Sequence, residues 1–119
     1  DYREQIAKFM QKRYQLKLSE AKDGMAAIEE IKESQFDLVI LDIKMPGQDG
    51  IEVLNEIKDS IELSKVIVLS GWSDKQVMLK AHKLGVFAYI SKSEPDIYEL
   101  LQEKIESILI SQGKLLKSS

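Results

Sequence analysis

Residues 36–50 read FDLVILDIKMPGQDG, and this stretch decides the fold. Its first part, residues 36–42, is a continuous apolar run that ends in an acid, Asp42. A second run of the same kind, residues 65–70, reads KVIVLS and ends in a hydroxyl, that of Ser70. Continuous β-branched runs, in contrast to alternating ones, are typical of parallel strands that helices cover on both faces. The two segments therefore predict buried strands.

Helical and strand patterns alternate around these two runs. Apolar residues at helical spacing lie at the start of the chain, behind Asp23, after Gly50, up to Gly85 and behind Asp96. We expect Gly85 to end its helix and Asp96 to cap the next one. Two alternating segments, residues 15–21 and 86–91, predict weaker strands. Strict alternation of helix and strand predicts an α/β fold, an open parallel sheet with helices on both faces.

The composition narrows the possible functions. A chain of 119 residues with 44% hydrophobic and 31% charged residues fits one soluble globular domain. A net charge of −3 gives no electrostatic reason to expect direct contact with nucleic acid or an anionic membrane surface. No apolar run approaches the roughly 20 residues of a membrane span, and the chain has no cysteine for disulfides or thiolate metal sites. We expect a cytoplasmic protein.

Three reactive side chains lie at the ends of predicted strands. Asp42, Ser70 and, after the last strand, Lys92 fall at the carboxyl edge of the sheet, where open parallel sheets bind ligands. A carboxylate can attack a phosphoryl group to give an acyl phosphate. A hydroxyl can donate to the new phosphoryl oxygens, and an ammonium can neutralise one of them. With Mg²⁺ to stabilise charge, these groups predict a phosphoacceptor site on Asp42.

Four motifs stand in a fixed order along the chain. They are Ala21-Lys22-Asp23-Gly24; Asp42 to Gly50, with the pattern Asp-x-x-Met-Pro-x-x-x-Gly; Ser70-Gly71; and Gly85 to Lys92, with Tyr89 three residues before the lysine. In this order and spacing they resemble the receiver domain of bacterial two-component response regulators. The resemblance covers nearly the whole chain.

The resemblance implies a flavodoxin-like sheet of strand order 2-1-3-4-5. It implies that Asp42 is the phosphoacceptor, that Ser70 is the switch hydroxyl and that Lys92 is the lysine of the site. It also implies that Tyr89 is an aromatic switch, and that Mg²⁺ is bound by Asp42 and by the backbone carbonyl of Lys44.

The chain departs from the family pattern in two places. Receivers hold Mg²⁺ with two adjacent acids at the end of a first strand. Setting Arg3 on the arginine of the family's first helix, without gaps, places these acids about two residues before Asp1, whereas a shift of register would make Asp1 the second acid. The first strand, expected between the segments near Leu18 and Val39, is thus absent from the given chain, and we expect upstream residues to supply it with the acid pair. Residues 1–112 would form the receiver domain without that strand, and residues 113–119 a tail or the start of a linker.

The second departure lies after the lysine. Receivers usually have Lys-Pro with a cis bond, whereas this chain has Lys92-Ser93. A cis bond before a residue other than proline costs about 2.5–4 kcal/mol, so we expect a trans peptide or an altered loop.

The resemblance implies a phosphorylation-switched binding module and not an enzyme. A sensor histidine kinase or phosphotransfer protein would donate to Asp42. The switched face would consist of the helix around residues 74–84, the last strand and the last helix, and it would bind an output domain, a target protein or a second copy. Because the acid pair is missing, a phosphorylation-independent pseudo-receiver that serves interaction or dimerisation is the alternative. A haloacid-dehalogenase-type phosphatase needs a second acid two residues after the first, where this chain has Lys44.

Overall fold

The computed structural model describes residues 4, 16–21, 29, 37–43, 47–71 and 75–113, with the backbone alone for 16–21 and 47–49. The elements in these ranges are β1 (Leu16–Ala21), β2 (Leu38–Ile43), α1 (Gly47–Ile57), β3 (Val66–Ser70), α2 (Lys75–Leu84), β4 (Ala88–Ser91) and α3 (Ile97–Ser111). A short 3₁₀ turn, Leu63–Lys65, leads into β3. The predicted helices at the start of the chain and behind Asp23 fall almost entirely outside the described residues.

The four strands form one parallel sheet in the order β1-β2-β3-β4. This confirms the predicted open parallel sheet, and the order is that of the family without its first strand. In the family, the first strand lies between the segments near Leu18 and Val39. Here β1 and β2 pair directly, with Leu18 opposite Ile40, so no gap separates them. Direct pairing satisfies backbone donors and acceptors that a gap would leave open.

Helices cover both faces of the sheet, as the continuous apolar strands predict. On one face, α1 and α2 pack over a cluster that includes Val39, Leu41, Ile43, Val66, Val68 and Tyr89. On the other face, α3 packs over a cluster that includes Leu38, Ile40, Ile67, Leu69, Ala88 and Ile90. Every residue of β2 and β3 is buried. The alternation of side chains along each strand therefore divides one apolar run between two cores.

The two predicted helix ends have different outcomes. Gly85 follows α2 at φ 107°, and its N–H donates to the carbonyls of Ala81 at 3.2 Å and His82 at 3.0 Å, which confirms its role as the helix terminator. Asp96 is the N-cap residue of α3, as predicted, and its carbonyl accepts the N–H of Leu100 at 3.0 Å, but its side chain makes no capping hydrogen bond. The ψ of Asp96 is 35°, outside the extended conformation from which a capping side chain reaches the first turn.

Helix α1 begins at Gly47, three residues before the glycine after which the apolar spacing starts. Gly50 lies inside the helix, where a Cβ would be 3.0 Å from Cδ1 and 3.2 Å from Cγ2 of Ile43. Such contacts are tighter than packed side chains tolerate without moving. The missing side chain therefore lets α1 lie close against the end of β2, the strand that carries Asp42. Within the described ranges, no helix has both the length and the apolar character needed to cross a membrane.

Candidate functional site

The carboxyl ends of β2, β3 and β4 meet at one edge of the sheet. Asp42 lies opposite Leu69, the residue before Ser70, and Ser70 lies opposite Ser91. Lys92 is the first residue after β4. The three residues predicted for the site, Asp42, Ser70 and Lys92, are thus brought to the same edge, where ligands bind in sheets of this kind.

Asp42 and Lys92 form an ion pair at this edge. The carboxylate of Asp42 is fully buried, and the ammonium of Lys92 pairs with its Oδ1. The Lys92 side chain is 28% exposed, so it reaches the buried acid from the rim of the sheet. A buried carboxylate without a partner is strongly destabilising. The lysine therefore neutralises a charge that the end of β2 cannot expose to water.

Ser70 links the ends of two strands. It is the last residue of β3 and is fully buried. Its carbonyl accepts the backbone N–H of Lys92 at 2.8 Å, one residue beyond the end of β4. The ladder between the two strands thereby continues onto the lysine, and the position of the Lys92 backbone is set by the strand that ends in the predicted switch hydroxyl.

Two serines beside the lysine were missed by the sequence reasoning. The hydroxyls of Ser91 and Ser93 lie 2.7 Å apart, and the N–H of Ser93 donates to Oγ of Ser91 at 3.3 Å. Glu94 closes the turn, because its N–H donates to the carbonyl of Ser91 at 3.2 Å. The described peptide bonds, that of Lys92–Ser93 included, are all trans, as expected. The Ser-x-Ser spacing at the end of a strand is a weak signal for this turn.

The remaining predicted site residues lie elsewhere or outside the described ranges. Tyr89 is buried, at 7% exposure, in the cluster under α1 and α2, and it lies opposite Val68 in β3. Its part in switching stays a prediction. Lys44, whose backbone carbonyl was predicted to bind Mg²⁺, lies outside the described residues.

Asp42 places a carboxylate, an oxygen ligand of the kind that Mg²⁺ binds, at this edge. Mg²⁺ in proteins is commonly held by one or two carboxylates and keeps several waters. In the backbone register of β1 and β2, Asp42 lies opposite Glu20. Within the part of the chain that the structure describes, no group of three or more His, Cys, Asp or Glu residues forms a metal cluster. The described residues thus fit Asp42 as one ligand of a magnesium site.

The family model of the response regulator receiver domain matches residues 1–105. The chain belongs to this family. It is 36% identical over 86 residues to the chemotaxis protein CheY of Halobacterium salinarum, covering 71% of this chain and 72% of CheY. It is 38% identical over 72 residues to the transcriptional regulatory protein ZraR of Klebsiella oxytoca, covering 60% of this chain but 16% of ZraR. The similarity to such regulators is confined to a small part of their length.

Solved structures agree on the fold of the receiver. A two-component response regulator from Clostridium difficile superposes with a TM-score of 0.66 at 19% identity, covering 82% of this chain and 98% of that chain. The phosphorylated cyanobacterial phytochrome response regulator RcpA superposes with a TM-score of 0.60 at 24% identity, covering 87% and 99%. At this level of identity the likeness shows the flavodoxin-like receiver fold.

Proposed function

We propose that this receiver is phosphorylated on Asp42 by a histidine kinase or phosphotransfer protein in a two-component phosphorelay. The observation that supports this most directly is the pairing of a fully buried Asp42 carboxylate with the Lys92 ammonium at the carboxyl edge of the sheet. Membership of the receiver family gives the pair its chemical context. The domain then acts as a signalling module and not as an enzyme that turns over a substrate.

The transfer needs little more than positioned charges. A carboxylate oxygen of Asp42 forms a bond to phosphorus as the bond from phosphorus to the donor's leaving group breaks, and the leaving group keeps that electron pair. The Lys92 ammonium then neutralises a phosphoryl oxygen in place of the free carboxylate. The hydroxyl of Ser70 donates to another phosphoryl oxygen. These two residues stabilise the product because both already lie at the edge that holds Asp42.

We further propose that the site takes Mg²⁺ when it reacts. Asp42 would be one ligand and the carbonyl of Lys44 a second, with further acids supplied by residues outside those described. The bound ion would offset the negative charge that gathers on the transferring phosphoryl group. Asp42 itself contributes a buried carboxylate, which the ammonium of Lys92 already stabilises.

Phosphorylation would switch a protein-binding face made of α2, β4 and α3. The added charge of about −1.5 to −2 at Asp42 draws Ser70 and Lys92 toward it, and Tyr89 in β4 transmits the change. An output domain, a separate target protein or a second copy would bind this face. The relatives include a chemotaxis protein and transcriptional regulators, so the receiver serves more than one kind of output in its family. We place the protein in the cytoplasm, without direct contact to nucleic acid or membrane.

Intact-mass spectrometry of the full-length protein with Mg²⁺ and acetyl phosphate tests the proposal. We expect a gain of one phosphoryl group, with acetate released. Asp42→Asn should abolish the gain, because the amide is not a nucleophile toward phosphorus. Asp59→Asn is the matched control, since Asp59 is an exposed acid just past α1, and it should be labelled like the wild type.

A folded full-length protein that gains no phosphoryl group would contradict phosphorylation on Asp42. The same result would support the alternative, a pseudo-receiver whose α2-β4-α3 face binds its partner without a switch. Labelling of Asp42→Asn would place the phosphoryl group on another residue.

A further inference from the structure

We propose that Ser91 and Ser93 are positioning residues that hold Lys92 at Asp42. The two serines flank the lysine in sequence, and their hydroxyls lie 2.7 Å apart. Lys92 therefore stands inside a turn whose two sides are joined by side-chain oxygens. This inference rests on the proposed function, because Lys92 is the residue that would neutralise the phosphoryl group.

The turn fixes the lysine from three directions. On its N-terminal side, Ser91 ends β4 and is 6% exposed. On its C-terminal side, the N–H of Ser93 donates to Oγ of Ser91 at 3.3 Å, and the N–H of Glu94 donates to the Ser91 carbonyl at 3.2 Å. Across the sheet, the N–H of Lys92 donates to the Ser70 carbonyl at 2.8 Å. The backbone from which the lysine side chain extends thus has little freedom to move.

The distribution of exposure explains why the hydroxyl pair matters. The far end of the Lys92 side chain is held by one ion pair to Asp42, while 28% of that side chain faces solvent. A long, partly solvated side chain loses considerable rotamer entropy when it is held in one place. When the backbone of Lys92 is fixed, fewer side-chain conformations place the ammonium away from the Asp42 carboxylate. In this proposal the serine pair acts on the site through Lys92.

Ser93→Ala is the sharpest variant, because Ser93 is exposed and loss of its hydroxyl leaves no cavity in the core. We expect it to slow labelling of the full-length protein by acetyl phosphate and Mg²⁺ by about threefold to tenfold, the effect of one lost hydrogen bond. The ¹⁵N NMR signal of the Lys92 ammonium should move toward that of an exposed lysine such as Lys80. Ser93→Thr keeps a hydroxyl and should restore both the rate and the signal.

Ser111→Ala is the matched control. Its hydroxyl donates to the Ile108 carbonyl at 2.7 Å at the far end of α3, so its loss removes a comparable hydrogen bond away from the site. We expect the control to label at the wild-type rate with an unchanged Lys92 signal. An effect of Ser111→Ala equal to that of Ser93→Ala would show that both act through general stability and would overturn the proposal.

The two proposals fail in different ways. If the wild type is labelled and Ser93→Ala matches it in both rate and Lys92 signal, the positioning role is wrong and the phosphoacceptor function stands. If the wild type is not labelled at all but Ser93→Ala still shifts the Lys92 signal, the serines do hold the lysine and the phosphoacceptor function is wrong.

Discussion

The middle of the sheet and its carboxyl edge are equally buried but chemically opposite. Ile40 in the middle of β2 and Asp42 near its end both have 0% exposure, as do Leu69 and Ser70 in β3. An apolar side chain in the middle needs only volume-filling neighbours. A polar one at the edge needs a specific partner, because burial without one is costly. Asp42 lies only two residues after Ile40 in β2. The burial of Ile40 is stabilised by packing, whereas that of Asp42 depends on its ion pair.

Among the substitutions that test this difference, removal of the Lys92 side chain should lower the free energy of unfolding the most. We expect Lys92→Ala to lower the free energy of unfolding by about 3 kcal/mol, because it leaves the Asp42 carboxylate buried without its cation. Urea unfolding followed by circular dichroism measures this change. This loss lies at the lower end of the range for broken buried ion pairs, because the Lys92 side chain is 28% exposed and water can partly replace its ammonium.

The double variant Asp42→Asn, Lys92→Ala checks the cause of that loss. Because the neutral amide needs no cation, it should recover most of the stability that Lys92→Ala removes. A double variant as unstable as Lys92→Ala alone would show that the lysine stabilises the edge by packing of its stem and not by its charge.

Shortening Ile40 should have a smaller effect. Ile40→Val removes one buried methylene from the cluster under α3 and should cost about 1 kcal/mol. The midpoint of thermal or urea unfolding measures it, and labelling by acetyl phosphate should be unaffected, because Ile40 is held by packing alone. A labelling rate that fell together with stability would mean that the middle of the sheet and its edge are less separate than their chemistry indicates.

Substitution of Leu79 should have the smallest effect on the free energy of unfolding. It lies on α2 but is 59% exposed, so it contributes little to either core. We expect Leu79→Ala to change the free energy of unfolding by less than about 0.5 kcal/mol, as is usual for surface positions. A cost comparable to that of Ile40→Val in the same urea titration would mean that a surface leucine packs as a core residue does.

The sequence predicted the elements whose signals are local and repeated. The β-branched runs ending in Asp42 and Ser70 predicted strands covered on both sides, and the structure has them as β2 and β3. The ends of those strands then placed Asp42, Ser70 and Lys92 at one edge without any knowledge of side-chain contacts. The positions of residues that follow from periodicity or strand direction could therefore be predicted from the sequence.

The features that were missed depend on contacts between elements or on a single turn. The start of α1 at Gly47 could not be predicted from the sequence, because its first turn contains two glycines and an acid, which are poor helix formers. The close packing of Gly50 against Ile43 depends on a contact between elements and was not predictable either. The 3₁₀ turn before β3 is too short to show a period. The hydroxyl pair of Ser91 and Ser93 requires a turn conformation that spacing suggests only weakly.

The direction in which side chains alternate has one more consequence for the carboxyl edge. Every second residue of a strand lies on the same face of the sheet. Asp42 therefore shares the face of Leu38 and Ile40, which α3 covers. Ser70 shares the opposite face with Val66 and Val68, which α1 and α2 cover. A negative group added at Asp42 and held by Ser70 would pull on both layers at once. If Asp42 is phosphorylated as proposed, the added charge at this edge would therefore act on residues beneath helices on both faces of the sheet.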